Sequence, residues 1–240
     1  MARRRVYADK PGGAADGPAP VYMPLERGRI LEAALKLLDE LGLKDLSMRK
    51  IADDLQVKTA SLYYHVKDKE ALMQLLSDRI CGGMERIDPS LPWREQLSQW
   101  AGQFRNVLLS RRDAFELFHQ TIANGDERLT QIERLFQCLA SAGFPDRQVP
   151  WLASMVKTYV LGFAAEEARF RARASGFASR EAMNEQQEQA FRRLPEERFP
   201  NMVRLAAVTT STDWEQEFRF GLSVLLDGFA AKLPAGANDE

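Results

Sequence analysis

The stretch that most restricts the fold is residues 46–69, LSMRKIADDLQVKTASLYYHVKDK. Ser47 stands just before Met48, Ile51, Ala52 and Leu55, whose spacing puts four apolar side chains on one face of a short helix. A serine in that place can cap the helix by accepting a hydrogen bond from a first-turn amide. Gln56, Val57 and Lys58 make a tight connection. Thr59 to His65 then form a second short helix, with Thr59 as its expected cap and Leu62 pointing inward.

Two short helices joined by about three residues, the first packed and the second polar on its outer side, make a helix-turn-helix. In that motif the second helix lies in the DNA major groove and the first crosses the backbone. Leu46-Ser47-Met48-Arg49-Lys50-Ile51-Ala52, then Val57, then Ser61 through Leu72 (SLYYHVKDKEAL) resemble the DNA-binding signature of TetR-family transcriptional repressors. The match runs without a gap from about Arg29 to Leu76. Its core, Tyr63-x-His65-Val66-Lys67-x-Lys69-x-x-Leu72, is far more specific than a generic helix-turn-helix pattern.

The chemistry of the exposed residues assigns their expected roles. Tyr63, Tyr64, His65 and Lys69 cluster around the end of the second helix and the start of the next, where their donors suit phosphate oxygens. Arg49 can meet a guanine in bidentate fashion. Lys58, Thr59, Ala60 and Ser61 stand at the N-terminal end of the recognition helix, where base edges are met. Partial core packing remains a competing use for the two tyrosine rings, and a helix-end cap for His65. The resemblance implies that residues at the positions of Arg49, Ser61, Tyr63, His65 and Lys69 lie near DNA.

Bulk charge does not suggest a polyanionic partner. The net charge is −1, and basic residues outnumber acidic ones only slightly before residue 80. At 240 residues and 45% hydrophobic, the chain can bury a core of one small and one larger helical domain. Three units are expected: a disordered extension over 1–24, a DNA-binding domain with its connecting helix over 25–82, and a helical body over 83–240. The extension holds Arg3-Arg4-Arg5 among glycines and prolines, and the arginines would suit an arm reaching DNA. Cys81 and Cys138 lack metal or redox spacing and read as free thiols in a reducing cytoplasm. No signal peptide is legible, and the apolar run Val149–Ala165 is short and interrupted by Lys157. The expected location is therefore the bacterial cytoplasm, at the nucleoid, with no membrane partner.

The remaining periodicity is helical throughout. Leu25–Leu41 comes first, with Gly42 as its stop, and Lys67–Gly82 connects to the second domain. Trp93–Ser110, Asp113–Asn124, Asp126–Ala142, Asp146–Ala174, Ser179–Leu194 and Asp213–Lys232 follow, and the fold class is all-α. Within the body, Trp93, Phe104, Leu108-Leu109-Ser110 with Arg112-Asp113, Gly143-Phe144 and Phe220-Gly221-Leu222 resemble the tetracycline-repressor branch of the family.

Two body helices are apolar over more than one face. Val149–Ala165 leaves only Ser154, Lys157 and Thr158 as clearly polar, and the last helix adds Phe220 and Val224 beside its main stripe. Such helices must be covered on all sides, and a second copy of the chain could supply the cover. Val156, Val160, Phe218, Leu222, Leu225 and Phe229 are the expected homodimer contacts. Paired helices from each copy would form the four-helix bundle that the resemblance implies, with two reading heads about one DNA turn apart on a palindromic operator.

The resemblance also implies an effector pocket in the body. Trp100, Phe104, Phe118, Met155 and Tyr159 are expected to line it, with Thr121 or His119 as polar contacts to a largely apolar or aromatic small molecule. That branch binds a drug–magnesium chelate partly through histidine and asparagine. Here Glu85 and Trp100 fall at two of those places, and Phe118 falls at the metal-binding histidine, one step before His119. No metal and no cofactor are expected. Catalysis is not expected either: His65 and His119 sit in separate domains, and no glycine-rich phosphate loop or metal-spaced cluster is present. Glu166-Glu167 and Glu196-Glu197 are adjacent pairs that diverge on a helix. The competing regulator is an activator, or a ligand-blind factor with the same head.

Overall fold

The computed structural model describes residues 25–211 and 213–234, so the arginine-containing extension lies outside the described residues. Twelve helices, and no strands, make up the described part. The N-terminal head is α1 (Arg27–Leu41), α2 (Met48–Asp54) and α3 (Thr59–His65), followed by the connecting helix α4 (Lys69–Cys81). The body is α5 (Trp93–Leu109), α6 (Ala114–Gln120), α7 (Asp126–Ser141), α8 (Val149–Ala174), α9 (Arg180–Arg192), α10 (Pro200–Arg204), α11 (Ala206–Thr210) and α12 (Trp214–Ala230).

Local chemistry explains the head's boundaries. Gly42 adopts φ 82°, a left-handed conformation that ends α1, and its N–H closes on Leu38 O at 2.9 Å. Ser47 Oγ accepts from Lys50 N, and Asp68 Oδ1 accepts from Ala71 N at 2.7 Å, so both α2 and α4 begin at side-chain caps. Thr59 does not cap α3 as expected: Lys58 occupies the flanking position, Thr59 is already helical, and no side chain caps that end. Ile30, Leu38, Ile51, Leu62, Leu72 and Leu76 close a core between α1, α2, α3 and α4. Each such side chain contributes roughly 1.5–3 kcal/mol by leaving water.

Head and body are tied at the C-terminal end of α1. Arg111 pairs with Asp39, Arg112 Nη1 donates to Glu40 O (2.9 Å), and Leu43 N donates to Asp113 Oδ2 (2.9 Å). In the body, α5 packs along α8, while α7 and α12 take other sides of α8. Tyr159 fixes the approach of α12: its ring stacks on Phe218, its hydroxyl donates to Phe218 O (2.7 Å), and a Cβ at Gly221 would collide with it. Two further regions depart from expectation. α6 stops at Gln120, before an extended Thr121, and the polar stretch after α9 contains α10 and α11, whose residues Ala206 and Thr210 are buried.

A charged assembly lies in the middle of the body. Arg105 Nε donates to Glu167 Oε2 (2.9 Å) and its Nη1 to Glu215 Oε2 (2.6 Å), joining α5, α8 and α12. Both Arg105 and Glu167 are buried, and the guanidinium lies 4.6 Å from the Phe218 ring centroid. Burial works against the Arg105 charge, but the two carboxylates outweigh it and hold its pKa above the ordinary value.

Candidate nucleic-acid interface and body cavity

The head presents one polar surface around α3. Leu62 points into the core with no exposure, which fixes the rotation of the helix and turns Ala60, Ser61, Tyr63 and Tyr64 outward. Tyr64 is 89% exposed and Tyr63 50%, so Tyr64 in particular has almost no packing role within the chain. Lys58, Arg49 and Lys69 are exposed, and Thr59 and His65 are half-buried. The His65 ring meets Tyr64 edge-on at 5.3 Å, and its carbonyl accepts from Arg27 Nη2 (3.3 Å). The exposed residues of α2, α3 and the start of α4 thus include cationic and hydroxyl donors of the kind that phosphate oxygens and base edges require.

The body carries a half-open cavity of about 950 Å³, large enough for a multi-ring molecule. Its walls come from α4 (Cys81), α5 (Trp100 and Phe104), α6 (Phe115 and Phe118), the 121–123 segment, α7 and α8. Phe104 sits 4.9 Å from Trp100 and 5.5 Å from Phe118, ring centroid to centroid, giving a continuous aromatic wall. His119 and Thr121 also line the cavity. Thr121 is buried and donates to Leu117 O (2.8 Å), whereas His119 is exposed at the end of α6.

Met155 and Tyr159 do not line it. The face of α8 turned to the cavity runs through Ala153, Ser154, Lys157, Thr158, Leu161 and Gly162. One residue along a helix is a rotation of about 100°, which carries Met155 to solvent and Tyr159 to α12.

The largest omission from the expected lining is Arg128. Its Nη1 donates to Thr121 Oγ1 (2.8 Å) and to Ser77 Oγ (3.1 Å), its backbone N donates to Asp78 Oδ1 (2.9 Å), and its guanidinium lies 4.9 Å from the Phe118 ring centroid. Burial pulls its pKa below the ordinary arginine value. Gly125 is pressed against the Asp78 carboxylate, and a Cβ there would overlap it. Gln131, also on the wall, is buried. A sequence signal does exist: Arg128 and Gln131 stand at the same inward positions of α7 as Leu135 and Cys138. The Cys81 thiol is pushed up to about 12 by burial, so at neutral pH it is a protonated wall residue.

Comparison with known proteins places both halves. Residues 30–76 match the family model for bacterial regulatory proteins of the tetR family, and residues 88–233 match that of the tetracyclin repressor-like C-terminal domain. The chain belongs to the TetR family of bacterial regulators. It is 31% identical over 207 residues to the Escherichia coli tetracycline repressor protein class E, covering 85% of this chain and 90% of that relative. Streptomyces coelicolor ActR in complex with actinorhodin superposes with a TM-score of 0.80 at 29% identity, covering 89% of this chain and 99% of ActR. BioQ with its double-stranded DNA operator gives 0.60 at 29% identity, over 87% of this chain and 99% of that one. The head and body expected from the TetR resemblance are therefore both present.

Most of the residues expected at a homodimer interface sit elsewhere in this TetR-family chain. Val156, Val160, Phe218, Leu222 and Phe229 are buried in its own core, and Leu225 is half-buried. The apolar residues exposed on the same helices are Trp151, Met155, Phe220 and Val224. The reason is geometric: the strongest stripe of a helix serves its own subunit first, and a weaker second stripe is what remains outside. Among the described residues no helix is long and apolar enough to cross a membrane, and no three His, Cys, Asp or Glu side chains gather at a metal's spacing.

Proposed function

We propose that this chain is a ligand-responsive transcriptional repressor that binds a palindromic operator as a homodimer and is released by a small, largely apolar or aromatic effector held in the body cavity. The observation that carries this reading is the position of α4. It packs on α1 of the head, its Cys81 lines the cavity, and its Ser77 accepts from the cavity residue Arg128. An effector that fits one setting of α4 better than another shifts the population of head spacings, and operator affinity with it. Two proteins that this chain resembles over most of its length support the two halves of the reading: ActR holds actinorhodin, and BioQ holds a double-stranded DNA operator.

In this reading Lys58, Thr59, Ala60 and Ser61 face base edges, Arg49 reads a guanine, and Tyr63, Tyr64, His65 and Lys69 hold phosphates. Trp100, Phe104, Phe118, Thr121 and His119 surround the effector. Two copies pair through the outer faces of α8 and α12, where Trp151, Met155, Phe220 and Val224 are exposed. Selection from a randomised duplex pool tests the whole scheme. Recovered sequences are expected to hold an inverted repeat with half-sites about one helical turn apart, and actinorhodin or a polycyclic aromatic compound is expected to displace the chain from it in a gel shift. Single half-sites would reject the dimer. Binding that no aromatic compound weakens would favour the ligand-independent regulator.

A further inference from the structure

We infer that the cavity is built for an aromatic ligand carrying an anionic oxygen group, and that Arg128 receives that group. The inference rests on the cavity being the effector site, as proposed above. Arg128 stands in the cavity wall over the Phe118 ring, yet its guanidinium forms no ion pair with any described residue. Its Nη1 is held by neutral acceptors, Ser77 Oγ, Thr121 Oγ1 and the Ile122 carbonyl. The Nε–Nη2 edge meets only the Thr121 carbonyl, at 3.4 Å. That edge presents two parallel N–H donors, the geometry that takes both oxygens of a carboxylate or sulfonate.

The other charges on the wall do not complete it. Glu166 is paired with Arg169 at 2.7 Å, and Glu116 and Lys157 are exposed and screened by water. Asp78 does not line the cavity; burial lowers the Arg128 pKa, and the nearby Asp78 carboxylate, which forms no ion pair with the guanidinium, only partly offsets it. A partly desolvated cation without a contacting counter-charge is costly, and an incoming anion relieves that cost. The rest of that wall is aromatic, with Trp100, Phe104 and Phe118 in ring contact. A planar ring system with an acidic substituent satisfies both features, whereas an uncharged hydrocarbon leaves the guanidinium without a counter-charge.

The test uses the full chain with two fluorescent probes, anilinonaphthalene sulfonate and its uncharged parent phenylnaphthylamine. Gly162 lines the cavity with open space where a Cβ would go, so Gly162→Trp is the variant that fills it from this wall. The quantity read for each probe is the binding that Gly162→Trp removes. Arg128→Met is expected to weaken that component for the sulfonate roughly tenfold or more while leaving the parent within about twofold. Arg128→Lys, which keeps the charge and guards against a folding defect, is expected to recover part of the loss. Equal losses for both probes, or no loss for either, would overturn the anion assignment and leave the cavity intact. If Gly162→Trp removes no binding of either probe, the cavity reading itself falls, and this inference with it.

Discussion

The head and the body solve the problem of building a site in opposite ways. In the head, the exposed donors lie along one short run of chain from Arg49 to Lys69, and their placement follows from two caps, a tight turn and one buried leucine. In the body, the cavity draws its wall from α4 to α8, and its Arg128 cation belongs to α7, a helix on which none of the expected lining residues lies. The head's donors are set mainly by caps and a turn within residues 47–71, whereas the body depends on contacts between residues far apart in the chain, such as the Arg105–Glu167 pair. A site of the first kind tolerates change around it. One of the second kind moves whenever any of several helices moves, which is what an effector sensor requires.

This contrast can be tested by removing one element at a time. Arg105→Leu should have the largest effect, because it leaves Glu167 buried with only Arg171 for company. A loss of about 3–5 kcal/mol in urea unfolding is expected, and a near-neutral result would show that the body does not depend on this pair. Arg49→Ala should leave folding unchanged and cost about 1–3 kcal/mol of discrimination at a single base position in a binding competition. Unchanged preference would assign Arg49 to phosphate instead. Ser47→Ala removes the α2 cap and should destabilise the chain by about 1 kcal/mol; a larger loss would mean that the head is less locally determined than its hydrogen bonds indicate. Lys69→Ala should weaken binding to all duplexes alike and flatten the salt dependence by about one unit of slope. A loss confined to the cognate operator would contradict its phosphate role.

Legibility follows the same division. Leu62 and the caps at Ser47 and Gly42 are readable because apolar spacing and capping act over three or four residues. The end of α6 and the existence of α10 and α11 are not, since short helices in polar sequence form only where neighbours such as α9 cover them. Trp100, Phe104 and Phe118 stand out as a group of aromatic residues, but pattern alone misplaces Met155 and Tyr159 because both faces of α8 are apolar. Arg128 is easily passed over for a related reason: it shares the inward face of α7, yet an arginine near a helix start usually belongs to solvent.

By itself the sequence determined an all-helical chain, the helix-turn-helix with its outward residues, and membership of a DNA-binding family, because those depend on short-range pattern and on a contiguous motif. Tertiary structure alone decided which side of α8 faces the cavity, which apolar stripe stays outside, and that the Arg128 guanidinium stands at the cavity wall without an ion-pair partner among the described residues. The physical reason is that helical periodicity marks which residues share a face, while the packing of distant helices decides what that face meets.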